Sequence, residues 1–356
     1  MDFNLFLERI TGQKASEVFI VAGRALSYSV NKRILTEGGR LMPGDTESLI
    51  RQLYAMAGRD IQPYLQSHDD DFSFSISNLG RFRVNTFMQR GTMAAVLRVV
   101  AFRLPDPTEL GIPETVVDLS SMTKGLVLVT GPAGSGKSTT LACLIDRINQ
   151  SREAHIITLE DPLEYLHQHK KSIVTQREVP LDTASYGMGL RAALREAPNV
   201  ILLGEMRDYD TIATAMSAAE TGLLVLSTLH TLGAANTVDR IIDVFPPNQQ
   251  QQVRVQLSMV LNAVVCQQLI PSEKGLPVPA FEIMICNNAI RTMIRDAKVH
   301  QIDSVIYSSS DQGMIGMDKS LLNLFSAGVI SRENALLYSL NQESMRRSLD
   351  NLSKNS

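Results

Sequence analysis

The sequence predicts an α/β protein with a mostly parallel sheet, and three observations carry that expectation. A glycine-rich run, Gly131-Pro132-Ala133-Gly134-Ser135-Gly136-Lys137-Ser138, lies between an apolar strand pattern at 126–129 and a helix whose Leu141, Leu144, Ile145 and Ile148 share one face. Further short apolar runs at 155–159, 200–203 and 223–227 alternate with helical stretches, as strands covered on both faces do. Before them, residues 1–104 show the shorter, alternating pattern of a separate α+β domain.

Within that first domain, 3–10 has the spacing of a short amphipathic helix, 17–21 and 25–30 read as strands, and 46–57 returns to helical periodicity. Residues 71–77 and 81–88 alternate on either side of Asn78-Leu79-Gly80, which predicts an antiparallel hairpin. Its return strand puts Phe82 and Val84 on one face and Arg81, Arg83 and Asn85 on the other, which makes the arginine face a candidate for contact with an anion or a neighbour. Residues 105–121, with Pro105, Pro107 and Pro113, read as an interdomain linker. The second domain then covers 122–356. After Pro246-Pro247 it turns helical, with 249–268 as one long helix, shorter helices in a C-terminal region from about 286, and a loose tail.

Composition excludes several classes. The 356 residues are 44% hydrophobic and 20% charged, values of a globular chain of about two domains. With 34 basic and 37 acidic residues the net charge is -3, so no overall basic field points to nucleic acid or to an anionic membrane surface. Cys143, Cys266 and Cys286 are far apart in apolar surroundings, which fits core thiols in a reducing compartment. No apolar stretch is long enough for a membrane span, and the start MDFNLFLERITGQK is charged where a signal peptide is apolar. The expected location is cytoplasmic, without membrane insertion.

The glycine-rich run fits GxxxxGK[ST] at every fixed position, and its chemistry is that of a nucleoside triphosphate site. Small residues let the backbone N–H groups of 131–139 converge on phosphate oxygens, from Gly131 to Thr139, and the helix N-terminus adds positive potential. Lys137 supplies a cation for the β and γ phosphates, and Ser138 a ligand for Mg²⁺. The strand at 155–159 leads into Glu160 and Asp161, carboxylates placed to order Mg²⁺ or its waters. The strand at 200–203 ends in Gly204-Glu205, where Glu205 would polarise the attacking water, and the next strand ends in Ser227-Thr228-Leu229-His230-Thr231, a candidate γ-phosphate sensor. A nucleotide-gated adaptor that binds without hydrolysing is the competing reading, and Glu205 with His230 argues against it.

Taken together, GPAGSGKSTT, LEDPLEY, ALREAPNVILLGEMRD and TGLLVLSTLHT stand in the order of the secretion ATPase superfamily, and the chain most closely resembles the PilT-like type IV pilus retraction ATPases over essentially its whole length. The resemblance implies a PAS-like N-terminal domain joined to a RecA-like ATPase domain. It also implies ATP and Mg²⁺ as cofactors, a homo-hexamer, and an inner-membrane pilus platform protein as partner, with other pilus or secretion ATPases as further associates. A related machine for secretion or DNA uptake is the alternative within the superfamily.

The same resemblance gives roles to arginines. Arg83 and Arg98 of the first domain, and Arg191 and Arg195 ahead of the Glu205 strand, match phosphate-facing or interface positions; Arg81, Arg90 and Arg207 are weaker candidates. Arg191 and Arg195, four apart, are expected on one helix face. Residues 289–296, AIRTMIRD, resemble the AIRNLIRE helix of retraction ATPases, with Arg291 and Arg295 expected on an exposed coupling face and the apolar residues packed inward. The extra N-terminal domain and cysteine-paired metal insertion of extension-type relatives have no counterpart here. Leu223 stands where the family has a histidine, while His230 is kept.

Overall fold

A computed structural model describes residues 3–30, 33–76, 79–100, 104 and 106–354. The chain divides into two units, residues 1–103 with 164–166, and residues 104–163 with 167–356.

In the first unit, α1 (Phe3–Gly12) turns Phe3, Phe6, Leu7 and Ile10 inward, the spacing of one helical face. The strands are β1 (Glu17–Ile20), β2 (Ala25–Val30), β3 (Arg33–Arg40), β4 (Asp69–Ile76), β5 (Gly80–Gln89) and β6 (Thr92–Val100), with α2 (Pro43–Met56) and α3 (Gln62–Ser67) between β3 and β4. They form one antiparallel sheet in the order β3-β2-β1-β6-β5-β4. Phe72, Phe74, Phe82 and Val84 alternate into a core shared with α1 and with Leu49, Ile50, Leu53 and Tyr54 of α2. The predicted hairpin is therefore β4 and β5; Asn78 of its turn lies outside the described residues. Strand β3 shows no apolar alternation because nearly all its side chains are exposed, and it has no period-2 signal to mark it. Strand β6 was also not anticipated. It pairs along the whole of β5 and sets Arg98 directly opposite Arg83, with Glu17 across from Arg98 on the other side.

The second unit opens with α4 (Glu114–Val117), where an interdomain linker was expected. Pro113 precedes this helix instead of breaking one, and Val116, Val117 and Leu119 pack into the core; Pro105 lies outside the described residues. Then follow β7 (Gly125–Thr130), α5 (Lys137–Ser151), β8 (His155–Glu160), β9 (Ile173–Glu178), α6 (Tyr186–Ala193), β10 (Val200–Leu203), α7 (Tyr209–Glu220), β11 (Leu224–Leu229), α8 (Ala234–Asp243) and α9 (Gln250–Val260). Next come β12 (Leu261–Ile270), β13 (Val278–Ile285), α10 (Asn288–Arg295), α11 (Ile302–Ser308), α12 (Met317–Ser326), α13 (Arg332–Leu337) and α14 (Gln342–Lys354). The sheet order is β13-β12-β7-β11-β10-β8-β9, parallel except for β13 at one edge. Both faces are covered. Leu126 and Leu128 of β7 enter one hydrophobic cluster, while Val127 and Val129 enter the other.

The long helix expected over 249–268 stops at Val260, and the chain passes straight into β12. The reason is burial: Ala263, Val264, Val265 and Cys266 are inaccessible on alternating faces, and a continuous apolar run reads the same in a buried strand as in a buried helix. Burying each Val or Leu contributes about 1.5–3 kcal/mol, which outweighs the few tenths that separate helix propensities. The residues expected to form a loose tail are largely in α14.

Helix α10 also differs from expectation. Its Ile290 and Ile294 are buried as the pattern predicts, and Asn287 caps it by accepting the Ile290 N–H at 3.1 Å. Arg291, however, is not a free surface cation. Its Nη1 donates to the carbonyls of Ser258 (2.7 Å) and Met259 (2.9 Å), and its Nη2 to Asn262 Oδ1 (3.2 Å), so it closes the C-terminal end of α9. Arg295 is exposed and pairs with the neighbouring Asp296 and Thr292. Arg291→Ala should lower stability by about 1–2 kcal/mol, because it strands helix-end carbonyls, whereas Arg295→Ala should stay within about 0.5 kcal/mol. Chemical denaturation midpoints of the two variants test this, and equal midpoints would refute the capping role.

Candidate functional site

Four strand ends meet at one edge of the second sheet. In the parallel ladder Thr130 pairs with Leu229, Leu203 with Ser227, and Leu203 with Leu159, so the residues that follow β7, β11, β10 and β8 emerge side by side. Three backbone bonds extend this alignment past the strands: Gly131 N–H to Leu229 O (3.3 Å), Gly204 N–H to Leu159 O (2.8 Å) and Met206 N–H to Thr228 O (3.2 Å). Carboxyl ends of parallel strands are where open α/β sheets bind ligands.

The loop 131–136 turns from β7 into α5 in a conformation only glycine accepts. Gly131 has φ +138°, and a Cβ there would lie 2.1 Å from Gln267 O; Gly136 has φ +89°, and its Cβ would meet Gln267 Nε2 at 2.8 Å. Strand β12 thus presses on the loop from beneath, with Gln267 Oε1 also accepting the Thr140 hydroxyl at 2.7 Å. Lys137 is buried, and its Nζ donates to the carbonyls of Gly131 (2.8 Å) and Pro132 (2.9 Å), which curls the loop around its own cation. Pro132, Ala133 and Gly134 are exposed, and Ser138 and Thr139 are half-buried on the first turn of α5. Ser135 Oγ is buried and has no hydrogen-bond partner among the described residues, so it can donate a bond to a phosphate oxygen.

Glu160 ends β8, its Oε1 accepting from the Thr158 hydroxyl (2.6 Å) and Gln176 Nε2 (3.4 Å), and Asp161 follows in an exposed position. Glu205 lies just past β10. Its Oε2 is 2.5 Å from Arg207 Nε and 3.6 Å from His230 Nε2, so the structure brings Glu205 and His230 side by side. The Glu205 side chain is 13% exposed and that of Arg207 74%, which makes the pair one that solvent can open at little cost. Thr228 fixes the neighbouring turn by donating to Gly204 O at 2.5 Å.

Two cavities share Glu205 and Arg207. One, of about 330 Å³, is also lined by Asp161, Tyr186 and Arg191. The other, of about 380 Å³, is lined by Thr228, His230 and Thr231. Arg195 is not in this company: α6 ends at Ala193, so Arg195 sits in the turn beyond it and shares no helix face with Arg191. Arg83 and Arg98 belong to the first unit, as register partners on β5 and β6.

Residues that sequence reasoning missed include Gln267 and Tyr186. Gln267 was hidden by the assignment of its strand to a helix. Tyr186 opens α6 behind the Ser185 cap, and its hydroxyl packs so closely on Gly204 that a Cβ there would lie 2.7 Å from it. Burial, reinforced by the charges of Glu205, Asp161 and Glu160, raises its pKa well above the ordinary phenol value, so it stands among carboxylates as a neutral hydroxyl. Arg207, a minor candidate from the sequence, is the ion-pair partner of Glu205. No group of three or more His, Cys, Asp or Glu side chains with metal-binding geometry occurs among the described residues.

Comparison with known proteins agrees with this geometry. A twitching motility protein of Neisseria gonorrhoeae is 48% identical over 283 residues, covering 79% of this chain and 76% of the relative. The type IV pilus retraction ATPase PilT of Pseudomonas aeruginosa is 48% identical over 277 residues, 78% of this chain and 80% of the relative. A crystal structure of the pilus retraction motor PilT with bound ADP superposes with a TM-score of 0.87 at 44% identity, covering 96% of this chain and 98% of that one. The family model for type II/IV secretion system proteins matches residues 2–309. The chain belongs to the type II/IV secretion system protein family.

Proposed function

We propose that this chain is an ATP-hydrolysing motor that powers type IV pilus retraction. The observation that carries the reading is the convergence of the glycine loop, Glu160, Glu205 and His230 on one sheet edge, in a chain that resembles a retraction motor with bound ADP over 96% of its length. The loop suits a nucleotide: its glycines leave the space a Cβ would fill, Ser135 Oγ lacks a partner among the described residues, and α5 begins directly after the loop. Assembly as a homo-hexamer on an inner-membrane platform protein, from the cytoplasmic side, follows from the same family likeness and belongs to this proposal.

In this reading Lys137 exchanges its bonds to Gly131 and Pro132 for phosphate oxygens, and the loop opens to admit them. Ser138, Glu160 and Asp161 are the residues that would hold Mg²⁺ directly or through water. When bound, the ion neutralises charge developing on the phosphates. Glu205 orients and polarises the attacking water, and His230, in contact with it, reports the state of the γ-phosphate to α8. Arg191 lines the same cavity as Glu205 and neutralises charge there, while Arg195, outside the helix, serves at a subunit interface. Arg83 and Arg98 of the first unit take the phosphate-facing role that the family likeness implies.

Four outcomes test the proposal. Lys137→Ala should weaken ADP affinity at least tenfold by calorimetric titration, because it removes the cation that meets the phosphates. Glu205→Gln should keep affinity within about threefold and lower kcat by roughly 10²-fold or more, since it retains shape and loses the charge that positions water; unchanged turnover would dismiss Glu205. Arg83→Ala and Arg98→Ala should each lower kcat by roughly 10³-fold in a folded protein. Near-normal rates in both would return those arginines to a structural role. In the host, deleting the gene should leave excess surface pili, and loss of pili would instead indicate extension.

A further inference from the structure

Thr130, Cys266 and Glu282 stand in a row across β7, β12 and β13: Thr130 is the register partner of Cys266, and Cys266 of Glu282. All three side chains are buried. The Thr130 hydroxyl donates to Cys266 Sγ at 3.0 Å, and Cys266 lies beside Glu282 as its cross-strand neighbour. Glu282 Oε1 accepts the Ala234 N–H at 2.6 Å, and Oε2 the Met317 N–H at 3.4 Å. Ala234 and Met317 are the first residues of α8 and α12, so one carboxylate holds the starts of two helices. A buried carboxylate is costly unless its oxygens are satisfied, and here the first turns of two helices satisfy them.

What lies beside each member of the row gives it a function. Thr130 is the last residue before the glycine loop, and Gly233-Ala234 ends the loop that carries His230 and Thr231. We propose that Glu282 is a positioning residue for the nucleotide site: through Cys266 and the start of α8 it holds the His230 loop in register with the phosphate loop, and through Met317 it ties both to the C-terminal helices. The proposal rests on the nucleotide-hydrolysis reading above and adds a residue that neither touches the reacting atoms nor lies in either cavity. Cys266 is confined to the same task. Burial foremost, with the neighbouring Glu282 charge, keeps it a thiol beside the carboxylate.

Three variants of the full chain test it. Glu282→Gln replaces one acceptor oxygen with an N–H donor that faces N–H donors. Ala234→Pro removes the N–H bound by Oε1 and adds a ring to a buried position, at the first helical residue where proline is tolerated; Gly233 before it has ψ 137°, the extended value that proline requires of its predecessor. Met317→Pro removes the N–H bound by Oε2 at the other helix, where Gly316 has ψ 153°, and it is read against Met317→Ala, which loses the same buried side chain and keeps the N–H. Amide hydrogen exchange over 230–237 should quicken at least tenfold in Glu282→Gln and Ala234→Pro, with 200–203 unchanged, and kcat should fall at least fivefold with KM within twofold. Met317→Pro should keep kcat within twofold. If Glu282→Gln fails to fold, the two proline variants decide alone. Exchange and kcat within twofold of the unmodified chain in the variants that alter the α8 bond would overturn the proposal, as would an equal loss of kcat in Met317→Pro, which would make the cluster a general support of the fold. Hydrogen exchange needs no turnover, so a chain that released no phosphate would defeat the hydrolysis reading while this comparison still judged the role of Glu282.

Discussion

Parallel pairing of β7, β11, β10 and β8 is the constraint on which the site depends. None of the chemical groups is close in sequence: the glycine loop, Glu160, Glu205 and His230 are spread over about a hundred residues. The ladder brings their strand ends into line, and the bonds from Gly131 to Leu229, Gly204 to Leu159 and Met206 to Thr228 carry the alignment beyond the strands into the loops. A shift of one residue in any pair would turn a wholly buried strand around and send Leu or Val into a face built for its neighbour. The core that fixes the register therefore also fixes the chemistry, and replacing one buried Leu would disturb both.

Polar bonds finish what the apolar core begins. Gln267 lies under the glycine loop, Lys137 holds the loop closed on itself, and the row from Thr130 through Cys266 to Glu282 continues to the helix that leaves the His230 loop. These groups are buried, so each lost bond leaves a donor or acceptor with no water to replace it. By contrast, Arg207 and His230 are largely exposed where they meet Glu205. Rigid bonds lie beneath the site and exchangeable ones face its cavities, the distribution expected of a site that must hold its shape while its charged groups change partners.

Much of this was legible in the sequence, for reasons that differ by element. The glycine loop was visible because its chemistry tolerates few substitutions and its strand and helix flanks are strongly patterned. The 71–88 hairpin showed itself by strict alternation, and the strands before Glu160, Glu205 and His230 by short apolar runs. Strand β12 was not visible, because a strand buried on both faces loses its period, and with it went Gln267, Cys266 and the partnership of Cys266 with Glu282. Strand β3 was hidden for the opposite reason, since exposed side chains leave no apolar signal. Arg195 and Arg291 show the limit of spacing: a four-residue interval placed Arg195 on a helix that ends two residues earlier, and it could not reveal that Arg291 reaches across to the end of α9.

The central claim is that the aligned strand ends bind ATP in order to hydrolyse it. Phosphate release by the purified chain, followed as a function of ATP concentration in the presence of Mg²⁺, tests that most directly. Saturable, multiple-turnover release is the predicted result. Stoichiometric ATP binding with no release would contradict it and leave a nucleotide-gated adaptor as the better account.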